Sequence, residues 1–519
     1  MPALQKTNFK AVISYIGLAL HVPAIMALIT LFLALLLEEP FALIPFLTIA
    51  LSSFILGQLL YRCCFKERTS HIWDAMIIAA ISWILCSVIS AIPFYWIAKI
   101  QVAKGAATPA LAVFTQPLNA LFEATSGFTS TGLTLFQEVG DLPHILQWWR
   151  SFLQWIGGIG IIVFILSLTH LNKEGYQLYY AEAHTEQMKP NITKNVHWIW
   201  AIYFLYTLVG IILFFSLGMP LWEAINHSMT AISTGGFTIR QDGFAHYSTP
   251  IALASIFLMT MGAISFAVHY QVLFRKRWQL PFRDHQHRLL FILLILGSIA
   301  IYLITLIHHK NITWLDSIYQ WTSALTTCGF YTLPIEIYSP IAKILLMVAM
   351  ILGGTMGSTA GGIKLERLIS LFEGLRLRIL SLTYSKEKII TRRYHPHKAP
   401  RIKAPADINI PKTEKSANLF SANIFFSMWM FTLFLGWFFT MYWVPAHFAL
   451  DALFDIISAM GNAGLSSGFI TPNLPSGVKI IFIVIMGLGR LEIIPVIVLI
   501  IATPMSLIKN KRNNKKTPN

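Results

Sequence analysis

One local pattern is written four times along this 519-residue chain, and it restricts the fold more than any other feature. When Gly132, Gly236, Gly329 and Gly464 are superposed, a hydroxyl-bearing residue stands six positions earlier in every copy: Ser126, Thr230, Ser323 and Ser458. A small residue stands five positions earlier (Gly127, Ala231, Ala324, Ala459), and a large apolar residue follows each glycine (Leu133, Phe237, Phe330, Leu465). A fixed pattern that recurs once per large hydrophobic unit signals an internal repeat. Each copy lies between two long apolar segments, so the unit reads as membrane helix, short half-helix, glycine turn, membrane helix. Glycine permits positive φ and close backbone approach. Irregular backbone at membrane depth survives only where protein buries it or where it lines a watery cavity. A single copy reads as ordinary packing of small residues between helices. Four matched copies around one axis would instead ring a pore with carbonyl oxygens, which can replace the hydration shell of a cation.

The acidic residues follow the same register. Glu123 and Asp455 precede their glycines by nine positions, and Glu223, Asp316 and Asp451 by thirteen, a difference of four that puts them on one helical face. The spacing predicts carboxylates at the N-terminal end of each half-helix, where negative charge suits the dipole, with the partly negative C-terminal end aimed at the turn.

Composition agrees with a membrane chain: 55% of residues are hydrophobic and 12% charged, and several apolar runs are long enough to span a bilayer. The N-terminal apolar run lacks a small-residue cleavage site, so it predicts a retained helix. The net charge of +16 is concentrated between Lys364 and Lys415, with thirteen Lys/Arg against five Asp/Glu, and in the tail from Lys509 to Lys516. Such clusters beside spans are the positive-inside pattern, and no nucleic-acid fold or aromatic stacking platform accompanies them, so no nucleic-acid partner is expected. Four cysteines, Cys63, Cys64, Cys86 and Cys328, show neither metal-ligand spacing nor a disulfide framework, and lipidation of the Cys63-Cys64 pair stays open. With no nucleophile–base set, no paired histidines and no nucleotide loop, the chain does not read as an enzyme. His308 and His309 read as solvated.

The predicted fold is an all-α integral membrane protein with ten spans and four half-helices. Residues 1–70 supply two leading helices, near Ala11–Leu37 and Phe41–Tyr61, and the basic turn Arg62–His71 places both ends of that pair in the cytoplasm. Four repeats follow with pseudo-fourfold symmetry: 71–175, 176–285, 286–370 and 421–519, the last carrying the basic tail, with a basic cytoplasmic insertion at 371–420. The polar segment Asn172–Asn195 is also expected to be cytoplasmic. Alternation then puts every glycine turn on the opposite side. The inner helices of repeats 1, 2 and 4 read as continuous, near Leu146–Leu168, Ile251–Phe274 and Val478–Ile501, with Gly157, Gly158 and Gly160 serving packing rather than a hinge. The third cannot be continuous, because Gly353, Gly354, Gly357, Gly361 and Gly362 fall within ten residues. It lacks the lysine and preceding strand of a phosphate loop, which leaves close packing or an irregular segment lining a cavity. In the last helix Arg490 and Glu492 interrupt an apolar run. Charges there are functional candidates, with pairing to neighbours as the structural alternative.

These residues make the chain similar to the Trk/Ktr/HKT superfamily of cation transporters, most closely to its TrkH-type potassium uptake subunits, over nearly its whole length. The resemblance implies a potassium filter built from Thr131-Gly132, Gly235-Gly236, Cys328-Gly329 and Ala463-Gly464. Sodium-preferring members often replace the first glycine with serine, so Gly132 favours potassium; Cys328 is a small departure that leaves its carbonyl available. It further implies that the segment Gly353–Gly362 is an intramembrane loop obstructing permeation and that Arg490 modulates passage below the filter. Potassium is then the transported substrate, with no cofactor held by this chain. The implied setting is a bacterial inner membrane, with both termini cytoplasmic, membrane lipid around a homodimer, and a separate nucleotide-binding regulatory subunit of the TrkA type. The rival readings are a sodium-preferring member of the superfamily, a broken-helix secondary transporter and a polytopic membrane enzyme. The last two would need a polar cluster apart from the turns.

Overall fold

A computed structural model describes residues 7–64, 72–136, 138–161, 163, 192–308, 312–383 and 412–501. Most of the cytoplasmic turn expected at 62–71, the polar segment at 172–191, the middle of the basic insertion, His309 and the basic tail lie outside the described residues. Among the described residues the chain is helical, with one isolated backbone bridge between Leu352 and Ile363 in place of any strand.

The leading pair runs as Phe9–Leu36 and Pro40–Cys63. Its turn is tied into the first repeat, because both carboxylate oxygens of Glu39 accept amides at the start of the inner helix, from His144 at 3.0 Å and Ile145 at 3.1 Å. Those amides have no partner within their own helix, so the acid caps it. The outer helices of the four repeats are Ile72–Ala103, Ile192–Ser216, His285–Ile307 and Lys412–Trp443. Side chains such as Phe204, Ile295 and Phe438 on these helices, and Ile44 on the leading pair, stay exposed, while Ser, Gly and polar groups turn inward. That inversion marks helices solvated by lipid rather than water. The fourth outer helix begins at Lys412, well before the position near Phe425 read from hydropathy, and the helix Leu365–Thr383 crosses the expected boundary between repeat 3 and the insertion. Polar helix turns continue these elements beyond the apolar stretch that hydropathy detects.

The half-helices are Pro117–Phe128, Leu221–Ile232, Trp314–Leu325 and Ala449–Gly461. Proline at the first helical position starts the first of them, and a capping box between Thr313 and Asp316 starts the third.

The inner helices depart from expectation. They are His144–Ile159, Thr249–Ala263, Pro340–Ile351 and Ser476–Arg490, only 16, 15, 12 and 15 residues long. At 1.5 Å per residue none spans about 30 Å of hydrocarbon alone. Repeat 1 stops at Gly160, whose φ is +102°. Repeats 2 and 4 bend by 103° and 109° into Phe266–Arg275 and Ile494–Ile501. All four inner helices therefore break, not the third alone. Gly157 and Gly158 do serve packing, since a Cβ would lie 1.9 Å from the Phe128 carbonyl oxygen and 2.6 Å from the Ser233 Cβ. Gly160 instead ends the helix.

Candidate functional site

The four half-helices end identically. The amides of Thr131, Gly235, Cys328 and Ala463 donate to the carbonyls of Ser126, Thr230, Ser323 and Ser458 at 2.8–2.9 Å. One residue earlier, Ser130, Thr234, Thr327 and Asn462 take φ of 48–53° and donate three residues back. This pair of bonds is the Schellman ending. It uses up the helix's last carbonyls internally and turns the next one outward. Each ring glycine then adopts φ between 76° and 97°.

Their contacts close a circle. A Cβ on Gly132 would lie 2.1 Å from the carbonyl oxygen of Gly235; on Gly236, 2.0 Å from that of Cys328; on Gly329, 2.4 Å from that of Ala463; on Gly464, 2.2 Å from that of Thr131. The order runs from repeat 1 to 2, 3, 4 and back to 1. All eight residues read from the sequence as the ring thus come together, and both the positive φ and the neighbouring oxygen exclude a side chain at the four glycines.

The carboxylates act differently from expectation. Glu223, Asp316 and Asp451 lie in the first turn of their half-helices, but Glu123 and Asp455 lie midway along theirs. Each of four acids grips the chain that rises after its ring glycine. Glu123 accepts from the Thr134 hydroxyl at 3.0 Å, Glu223 from Arg240 Nε at 3.0 Å, Asp316 from Thr332 at 2.7 Å and Asp455 from the Ser467 amide at 2.7 Å. Glu123 also pairs with Arg150 at 2.7 Å, and the Arg150 Nη1 reaches the Thr238 carbonyl in the next repeat at 2.9 Å.

Sequence reading missed three supports of the ring. Arg150 and Gln154 lie on the first inner helix; the Gln154 Nε2 donates to the Gly235 carbonyl at 2.5 Å and its Oε1 accepts the Phe237 amide at 3.0 Å. Asn462 Nδ2 donates to Thr131 Oγ1 at 2.8 Å and to the Met486 carbonyl at 3.0 Å, joining repeats 4 and 1. The test that singled out Arg490, a polar group within an apolar run, applies equally to Arg150 and Gln154 and would have found them.

Below the ring, the segment Leu352–Lys364 forms an irregular loop. Leu352 and Ile363 pair in parallel, and Gly353 and Gly361 approach so closely that a Cβ on Gly353 would lie 1.8 Å from the Gly361 oxygen. A Cβ on Gly354 would lie 2.7 Å from that of Ala360, while Gly357 and Gly362 take φ of 77° and 64°. The loop amides serve the helix ends around them. Thr355 and Thr359 donate to the carbonyls of Ala263 and Gly262 at 3.1 Å, where inner helix 2 breaks, and Gly362 donates to Gly461 at 2.9 Å, beneath the fourth turn. The Gly361 amide donates to Thr327 Oγ1 at 2.6 Å, and Thr359 Oγ1 to the Ile232 carbonyl at 3.0 Å.

Arg490 completes this capping. Its Nη2 donates to the Gly158 carbonyl at 2.8 Å and also to Gly157, at the C-terminus of inner helix 1, and its Nη1 reaches Thr359 in the loop at 3.2 Å. A cation at a helix C-terminus is favoured by the dipole as well as by the open carbonyls. Glu492 pairs with Arg367. A cavity of ≈ 90 Å³ lies between the loop and the ends of inner helices 1 and 4, with Gly158, Gly361, Asn462, Lys364 and Arg490 on its wall. The arrangement offers main-chain oxygens that can stand in for the water around a cation at the ring, with an irregular loop and a fixed positive charge beneath them.

The TrkH family, described as cation transport proteins, matches residues 45–509. The chain is 30% identical to an uncharacterized cation transporter of Methanocaldococcus jannaschii, with 96% of each chain covered. It is likewise 30% identical to the Trk system potassium uptake protein TrkH of Salmonella typhimurium, over 58% of this chain and 62% of that protein. Its fold is similar to the crystal structure of the potassium transporter TrkH from Vibrio parahaemolyticus, with a TM-score of 0.76, 23% identity and coverage of 95% of this chain and 98% of that one.

Proposed function

Because this chain belongs to the TrkH family of cation transport proteins, we propose that it takes up potassium through the ring made by Thr131-Gly132, Gly235-Gly236, Cys328-Gly329 and Ala463-Gly464. The observation that carries this reading is the closed order of contacts, in which each glycine abuts the carbonyl contributed by the next repeat. Main-chain oxygens stand in for water, and the C-terminal dipoles of four half-helices add negative potential at the same place. No covalent step is needed. The loop at Gly353–Gly362 is the gate, and Arg490 holds it closed by bonding the loop and the end of inner helix 1 together.

In this reading the protein lies in a bacterial cytoplasmic membrane as a homodimer. Both termini, the cluster Arg275-Lys276-Arg277 and the helix after the loop face the cytoplasm, where a separate nucleotide-binding subunit of the TrkA type moves the gate. The positive-inside distribution supports that orientation.

The test is growth of a strain without its own potassium uptake systems in limiting potassium. The wild-type chain restores growth, and replacing Gly132, Gly236, Gly329 or Gly464 with Ser abolishes or weakens the rescue at equal membrane abundance. Failure of the wild-type chain to rescue, together with absence of potassium flux in proteoliposomes, overturns the proposal.

A further inference from the structure

We propose that Gln154 is a specificity-determining positioning residue: its carboxamide braces the second turn of the ring, takes the space of the side chain which that turn lacks, and sets how well the ring separates potassium from a smaller monovalent cation. The inference rests on the carbonyl-ring reading above.

Fourfold comparison isolates the residue. The caps that open the four inner helices are Pro143, Ser248, Ser339 and Pro475. Eleven positions beyond them stand Gln154, Met259, Met350 and Met486, all fully buried. This level of the inner helix lies against the turns: the Met486 carbonyl accepts Asn462 Nδ2, and the Met350 carbonyl lies 2.5 Å from where a Gly461 Cβ would be. Three repeats therefore place an apolar thioether there, and one places an amide.

The turn facing that amide is also the odd one. Thr131, Cys328 and Ala463 present the ring carbonyl from a residue with a side chain, whereas Gly235 presents it from a glycine. Its φ lies outside the left-handed region, so the backbone at 235 admits a side chain. What excludes one is Gln154, whose Cδ would lie 2.5 Å from a Cβ. The two positions are complementary.

Two consecutive glycines, Gly235 and Gly236, lose more conformational freedom on ordering than the other turns do. Gln154 offsets this by bonding on both sides of Gly236, to the Gly235 carbonyl and the Phe237 amide. Both ends of a buried carboxamide are thereby satisfied. A carbonyl oxygen has two lone pairs; the amide takes one and leaves the other to face the axis. The Gly235 oxygen is then held in direction, and it resists moving inward to meet a smaller ion.

The experiment uses the full chain in proteoliposomes, with potassium and sodium uptake measured separately. Gln154→Met installs the residue of the other three repeats. Its potassium-to-sodium uptake ratio should fall about fivefold, the effect of losing, of its two hydrogen bonds, the one that holds the Gly235 oxygen, with wild-type yield and gel-filtration profile. An unchanged ratio overturns the proposal while leaving the ring reading intact; a wild-type chain without potassium uptake sinks both. Gly235→Ala should lower potassium uptake, and Gln154→Ala added to it should restore much of the loss. A double variant no better than Gly235→Ala also overturns the brace, and this arm decides the matter if Gln154→Met does not fold.

Discussion

Arg150→Met removes the cation that holds the first turn to the second. The Arg150 Nε lies 2.7 Å from Glu123 Oε1, and neither side chain is more than 1% exposed. The same guanidinium donates to the Thr238 carbonyl and lies 4.0 Å from the centre of the Phe237 ring, which follows Gly236. Deleting one partner of a buried pair costs about 3–5 kcal/mol, because the other charge is left uncompensated. The substitution should therefore destabilise the protein by about 3–5 kcal/mol. Glu123→Gln combined with Arg150→Met should recover at least about 2 kcal/mol relative to additivity, since the residues are in direct contact. The measurement is unfolding in mixed micelles followed by the fluorescence of the 15 tryptophans, for both single variants and the double. Additive single effects, within about 0.5 kcal/mol, would refute the reasoning.

Gly353→Ala places a Cβ 1.8 Å from the Gly361 oxygen, so the loop cannot keep its present path; cation leak through liposomes without any regulator should rise by about tenfold or more, the effect of ~1.4 kcal/mol on a barrier, and unchanged leak counts against the loop as gate. Asp284 caps the start of the third outer helix, and its hydrogen bond from His287 holds its carboxyl below the ordinary value of 3.8. That stabilisation is present above the ordinary value and is lost as pH falls through the depressed one, so the melting temperature of Asp284→Asn should lie below wild type at neutral pH and converge with it in acid; a constant gap across that range contradicts the assignment.

The parts of the site legible in the sequence are those repeated in it. Gly132, Gly236, Gly329 and Gly464 are recognisable because each needs a backbone conformation that only glycine takes cheaply, and the need recurs in every repeat. The first half-helix falls at Pro117–Phe128 because proline starts it and the Schellman ending stops it, both within its own residues. Gln154 is legible as a polar side chain in an apolar helix, but its role is hidden for the opposite reason. Its importance lies in how it differs from Met259, Met350 and Met486, and that comparison requires the inner helices to be superposed residue by residue.

The breaks in the inner helices show the same division. Nothing local in Thr249–Arg275 announces its bend of 103°, because the apolar pattern continues through it, and in Ser476–Ile501 the charges Arg490 and Glu492 mark an interruption but not a bend of 109°. A helix end leaves its last carbonyls without partners. Here the partners come from far along the chain: Thr355 and Thr359 for inner helix 2, Arg490 for inner helix 1, each more than ninety residues away. The sequence alone determined where glycine, proline and hydroxyl must stand, hence four membrane repeats each with a half-helix and a turn, because those demands are met within a few residues. Only the tertiary structure decided that the turns close into one ring and that all four inner helices stop beneath it, because an open backbone end is tolerable in a membrane only when another segment arrives to satisfy it.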